Sequence, residues 1–131
     1  MADQVEAPTV TKVVSVREIP KDLKGLDIGP ESLKLFIQAI ADAKMIIWNG
    51  PMGVFEVDAF SRGTYAIANS VADAYALTIV GGGDTDLAVH RAGVTSALSF
   101  ISTGGGASLQ LLEGKELPGI AALTDRKADT V

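Results

Sequence analysis

No cysteine occurs in the chain. That excludes a disulfide framework, a cysteine nucleophile and thiolate-held metal sites. Positive charge is also sparse: the formal net charge is −5, and no run of Lys or Arg appears. A nucleic-acid backbone is therefore not the expected partner, and the acidic surface mainly serves solubility. No apolar stretch reaches the length of a membrane span, and the polar start Met1-Ala2-Asp3-Gln4 does not read as a signal peptide. No membrane partner is expected, and the expected location is cytoplasmic. Familiar signatures are missing as well. The sequence holds no G-x-x-x-x-G-K-[ST], no G-x-G-x-x-G and no G-x-S-x-G.

What is present suits a globular chain. Hydrophobic residues make up 47% and charged residues 21% of 131 positions, enough for one α/β domain with a core. Residues 1–9 lack periodicity, and 1–10 are expected to be a disordered lead-in. Thr11 to Val16 is rich in β-branched residues and reads as a strand. Pro20, Gly25 and Gly29 punctuate a connector, and Pro30 suits the first position of a helix. Leu33, Phe36, Ile37 and Ile40 then form one apolar helical stripe. Met45 to Trp48 is a continuous apolar run, expected to be a strand buried on both faces. After the loop Asn49 to Glu56, Asp58 is a candidate N-cap for a helix to about Asp73, with Phe60, Thr64, Ile67 and Val71 inward.

The rhythm then repeats. Leu77 to Val80 reads as a strand, Gly81-Gly82-Gly83 as a loop, and Asp84 opens a helix through about Ala92. Leu98 to Ser102 reads as a strand, Thr103-Gly104-Gly105-Gly106 as a loop, and Ala107 opens a helix through Leu112. Beyond Gly114 the pattern is weak. The expected fold is α/β: a Rossmann-like parallel sheet of about four strands, with flanking helices on both faces. The domain is expected to span 11–123, with 124–131 as a tail.

In such sheets the loops leaving the strand C-termini gather at one edge, where ligands bind. Three of these loops are glycine-rich. Glycine lets backbone N–H groups approach an anion, and a helix starting just afterwards adds unpaired amides and the positive end of its dipole. A single such turn can be only a tight corner. Three on one edge favour an anion or phosphate site. Asp84 would repel phosphates unless a hard cation such as Mg²⁺ lay between. It equally suits a helix N-cap, with Thr85 and Asp86 in the first turn. None of the eleven Lys and Arg residues lies in a glycine loop. His90, the single histidine, is mid-helix and reads as solvated or packed. Trp48 reads as core, and Glu56 ends a Pro/Gly loop at the ligand edge.

Five segments together resemble phosphoglycerate kinase: Gly25 to Pro30, Trp48 to Glu56, Gly81 to Thr85, Ser102 to Ser108 and Leu112 to Gly119. Their order and spacing match over roughly Thr11 to Leu123. The resemblance implies part of the C-terminal, nucleotide-binding lobe of an enzyme that transfers a phosphoryl group between 1,3-bisphosphoglycerate with ADP and 3-phosphoglycerate with ATP, using Mg²⁺, in glycolysis. It implies that Leu26 borders the adenine, and that Asn49, Pro51, Val54 and Glu56 hold base and ribose. Gly81, Gly82, Gly83, Asp84 and Thr85 would meet the phosphates, with Asp84 on the metal. Gly104, Gly105 and Gly106 would present amides toward the transferring group, and Gly82, Gly83, Gly105 and Gly106 are the implied catalytic positions.

The same resemblance implies that phosphoglycerate is bound by an N-terminal lobe absent from these residues, along with the lysines and arginine that meet the phosphates. The parent is expected to be a monomer, whereas the fragment is expected to be marginally stable and to self-associate through a cut sheet edge. Alternatives are a non-catalytic nucleotide- or anion-binding α/β module, and a subunit completed by a separate N-terminal chain. Loss of such cations slows phosphoryl transfer on the order of 10³-fold or more each. The isolated chain is therefore expected to show no phosphoglycerate kinase turnover in a coupled assay; activity surviving removal of full-length enzyme contradicts this.

Overall fold

The apolar runs beyond Lys44 pair side by side. In the computed structural model, which describes residues 10–123, β1 (Met45–Asn49), β2 (Leu77–Gly81) and β3 (Phe100–Ser102) form a parallel sheet in that order. The register carries Asn49, Gly81 and Ser102 into one row at the strands' C-terminal ends. Parallel neighbours need a long crossover. Here α2 (Arg62–Asp73) joins β1 to β2, and α3 (Gly83–Ala92) joins β2 to β3. α1 (Pro30–Asp42) precedes β1, while α4 (Gly105–Leu112) and the short α5 (Pro118–Ala121) follow β3. Residues 1–9 of the expected lead-in and the whole expected tail lie outside the described residues.

Strand side chains alternate between faces. Trp48, Val80 and Ile101 share one face, where they pack with Ile67, Ala68 and Val71 of α2 and Val89 of α3. Leu33 and Ile40 of α1 lean on the same cluster. Phe60, Thr64, Ile67 and Val71 are all buried, as their spacing predicts. Each fully buried large apolar side chain contributes about 1.5–3 kcal/mol. Pro30 does occupy the first turn of α1.

The expected burial on both faces is not found. Met45, Ile47, Leu77 and Phe100 alternate onto the other face and are exposed. The runs are continuous because both faces are apolar, yet the packed core among the described residues lies on one. β1 is also an edge strand. An apolar groove of about 330 Å³ lies along it, between α1 and α2. The α1 stripe divides accordingly: Phe36 lines this groove and remains 44% exposed, and Ile37 is exposed too.

The sheet has three described strands rather than about four. Thr11 to Val16 forms none; Val13 is exposed, and a 3-10 turn runs over Val16–Glu18, where Glu18 N–H donates to the Ser15 carbonyl at 2.9 Å. High β-propensity makes a strand only where a neighbour completes the ladder. β3 starts two residues later than its pattern suggests. Before it, Ser99 N–H donates to Thr78 Oγ1 at 2.8 Å and Thr78 N–H to Ser99 Oγ at 3.1 Å, so hydroxyls take the place of ladder carbonyls. The helix expected from Asp58 begins as a 3-10 turn, Asp58–Phe60, and becomes α-helical only at Arg62. The weak pattern beyond Gly114 holds one short helix, α5.

This packing separates two side chains that look alike in sequence. Ile67→Ala, which empties a buried site, is expected to cost about 2–5 kcal/mol. Phe36→Ala, at the exposed groove, is expected to cost less than half as much, and denaturant unfolding of both variants measures the difference.

Candidate functional site

The row Asn49, Gly81, Ser102 is where the three glycine loops leave the sheet. They are tied to one another. Gly50 N–H donates to Thr85 Oγ1 at 2.7 Å. Gly82 N–H donates to the Ser102 carbonyl at 2.9 Å, and Asn49 Nδ2 donates to the Gly105 carbonyl at 3.4 Å. Gly82 has φ +94°, a conformation that turns the chain from β2 straight into α3 and that L side chains rarely adopt. Gly105 approaches so closely that an added Cβ would lie 2.8 Å from Gly82 Cα.

The helix starts are clear from side-chain caps. Gly82 occupies the N-cap of α3 and Gly104 that of α4, and neither helix has a side-chain cap bond. The amides of Gly83, Asp84, Gly105 and Gly106 thus lie in first turns, which lack intrahelical acceptors. Asp84 is not the N-cap that its local pattern allows. It is the second residue of α3, exposed, and its carboxylate makes no hydrogen bond or ion pair among the described residues. α4 begins two residues before Ala107, because Gly105 and Gly106 already take helical geometry. Thr85 is fully buried, with its hydroxyl engaged by Gly50 N–H.

Leu26 and the loop after β1 form a second group. Leu26 is buried with Phe60 against Val54 and Val57, and Val54 N–H donates to the Leu26 carbonyl at 2.9 Å. Pro51 is half-buried, and Asn49 and Glu56 are exposed. The fold therefore brings Asn49 to Gly105 and Leu26 to Val54; nothing hydrogen-bonds the Glu56 carboxylate among the described residues. Trp48 is core as expected, and its indole N–H also donates to the Gly50 carbonyl at 2.7 Å. His90 is exposed, with Nδ1 3.1 Å from Asp86 Oδ1.

Three contributors escape sequence reasoning. Asp27 bonds the start of α2 through Gly63 N–H at 2.8 Å. Thr64, read as an inward core residue, accepts from the amides of Met52 and Gly53. Arg91 lies with its guanidinium 5.5 Å from the Phe55 ring centroid, a cation stacked on the loop after β1 although absent from it in sequence. Only long-range hydrogen bonding or stacking reveals these roles.

The chemistry is thus amides and the unbonded carboxylates of Asp84 and Glu56, with no metal cage: no group of three or more His, Cys, Asp or Glu side chains able to hold a metal occurs among the described residues. Nor, among these residues, is any helix long and apolar enough to cross a membrane.

A family model described as phosphoglycerate kinase matches residues 1–115. The chain belongs to the phosphoglycerate kinase family. The phosphoglycerate kinase of Citrifermentans bemidjiense is 60% identical over 96% of this chain, and that of Geotalea uraniireducens 62% over 95%. The phosphoglycerate kinase structure from Coxiella burnetii superposes with a TM-score of 0.84 at 42% identity, over 92% of this chain. That from Pyrococcus horikoshii OT3 gives 0.68 at 39% identity, over 75%. The chain spans about a third of the length of these curated phosphoglycerate kinases, 32% and 31% of the two named.

Two glycines of this family member should respond oppositely to an added methyl. Gly105→Ala, driven against Gly82, is expected to destabilise by more than about 1 kcal/mol. Gly83 has nothing within 4 Å of an added Cβ. Gly83→Ala is expected to leave stability unchanged or raise it by about 0.4–1 kcal/mol, and thermal unfolding distinguishes the two.

Proposed function

We propose that the chain supplies the nucleotide side of a phosphoglycerate kinase, binding ADP or ATP at the strand C-terminal edge. The observation that carries this reading is the convergence of two glycine-rich helix starts on one row of the sheet, beside an exposed, unbonded Asp84. In this reading the Gly81-Gly82-Gly83 turn lies against the nucleotide phosphates, with the Gly83 amide as donor because Gly82 N–H is already given to the Ser102 carbonyl, and the amides of Gly105 and Gly106 face the transferring group. Leu26, Asn49, Pro51, Val54 and Glu56 border base and ribose. Thr85 acts through its bond to Gly50 as well as beside the phosphates.

Mg²⁺ fits this donor set in one way. A lone carboxylate suits a small hard cation that takes its remaining ligands from phosphates and water. Asp84 would hold it, and the ion would neutralise phosphate charge. The reaction assigned to the assembled enzyme exchanges a phosphoryl group between 1,3-bisphosphoglycerate with ADP and 3-phosphoglycerate with ATP, as a cytoplasmic step of glycolysis. Phosphoglycerate would be held by a lobe outside these residues, and the chain alone would be inactive. Among the described residues nothing covers the apolar sheet face or the β1 edge, which favours self-association of the isolated chain, against a monomeric parent.

The test lies at Asp84. Asp84→Asn is expected to weaken binding of Mg–ADP to the chain about tenfold, a loss the size of one charged contact, while ADP without metal binds nearly as before. Calorimetric titration with and without Mg²⁺ measures both, and an equal loss in the two conditions rules out the metal role.

A further inference from the structure

The first turn of α2 meets two stretches of chain remote from each other in sequence. Gly63 N–H donates to Asp27 Oδ2 at 2.8 Å, and Asp27 Oδ1 accepts from Ile28 N–H at 2.8 Å. The next residue, Thr64, is wholly buried. Its hydroxyl oxygen accepts from Met52 N–H at 3.0 Å and Gly53 N–H at 3.3 Å. Asp27 directly follows Leu26, and Met52 and Gly53 lie between Pro51 and Val54. One helical turn therefore sets both walls, and Val54 N–H joins them by donating to the Leu26 carbonyl at 2.9 Å. None of these bonds reaches Gly81–Asp84 or Gly104–Gly106. Those loops are held by separate bonds, from Asn49, Gly50 and Gly82.

We propose that Thr64 is a positioning residue for the base of the bound nucleotide. It touches no ligand; it fixes Pro51 and Val54 against Leu26 before the nucleotide arrives. The inference rests on the nucleotide reading above and adds which part of the ligand this residue governs. The physical reason is the penalty on a buried donor left without an acceptor. Valine keeps the shape of Thr64 but accepts nothing, so the Met52 and Gly53 amides must turn toward water and carry the wall with them. The phosphate loops, bonded elsewhere, stay in place.

The experiment compares two probes, ADP and inorganic tripolyphosphate, on the whole chain. Thr64→Val is expected to lower ADP affinity roughly tenfold, the equivalent of about one net hydrogen bond. Tripolyphosphate affinity should stay within about twofold, and Thr64→Ser, which restores the acceptor, should bring ADP to within about threefold of wild type. A merely structural role would weaken both probes together, and that result, or unchanged ADP affinity, overturns the proposal. A wild-type chain that binds tripolyphosphate but not ADP instead overturns the nucleotide reading itself, and this inference with it. Should Thr64→Val not fold, hydrogen exchange on the wild type decides: the Met52 and Gly53 amides should exchange slowly before ADP is added and no faster after it. Rapid exchange in the free chain would show that Thr64 does not hold the wall.

Discussion

Asn49, Gly81 and Ser102 stand in one row because three parallel strands share a register, and the chemical edge of the molecule depends on that row. A parallel sheet sends each strand end out on the same side, so loops far apart in sequence must leave together. Slipping β1 by one residue would turn Trp48 out of the core and move Asn49 away from Gly105. Register is thus defended by the hydrophobic face, while its product is polar. Packing of Trp48, Val80 and Ile101 against the helices is what holds the loop amides in place.

The polar edge carries a characteristic imbalance. It presents amide donors at two helix starts and an unpaired carboxylate at Asp84, while Arg91 stands over the Phe55 ring. Amides alone would suit any anion. A carboxylate beside such amides repels a bare anion unless a cation lies between them.

Much of this was legible in the sequence, for identifiable reasons. The inward positions of α2 followed from helical spacing, and the strand-loop-helix order followed from short apolar runs ending in glycine. Thr11 to Val16 misled because propensity is local while a strand is a relation between two segments. The two-face burial of β1 misled similarly, since composition records which surfaces are apolar but not which are covered. At Asp84 the cap preference was outweighed by Gly82, whose backbone alone can make the turn. Asp27 and Thr64 stayed hidden for a further reason. Their partners are Gly63 and the Met52–Gly53 pair, and backbone amides leave no mark in a sequence.

Trp48 has one more consequence. It is the single tryptophan of the chain, its ring is in the core, and its indole N–H is bound to the Gly50 carbonyl at the foot of the loop after β1. Indole emission depends on the polarity and hydrogen bonding around the ring. Any displacement of Gly50 changes that environment, and Gly50 is itself bonded to Thr85 at the start of α3. The molecule therefore carries a built-in optical gauge at the junction of two loops, one whose colour and intensity follow the site without any label being attached.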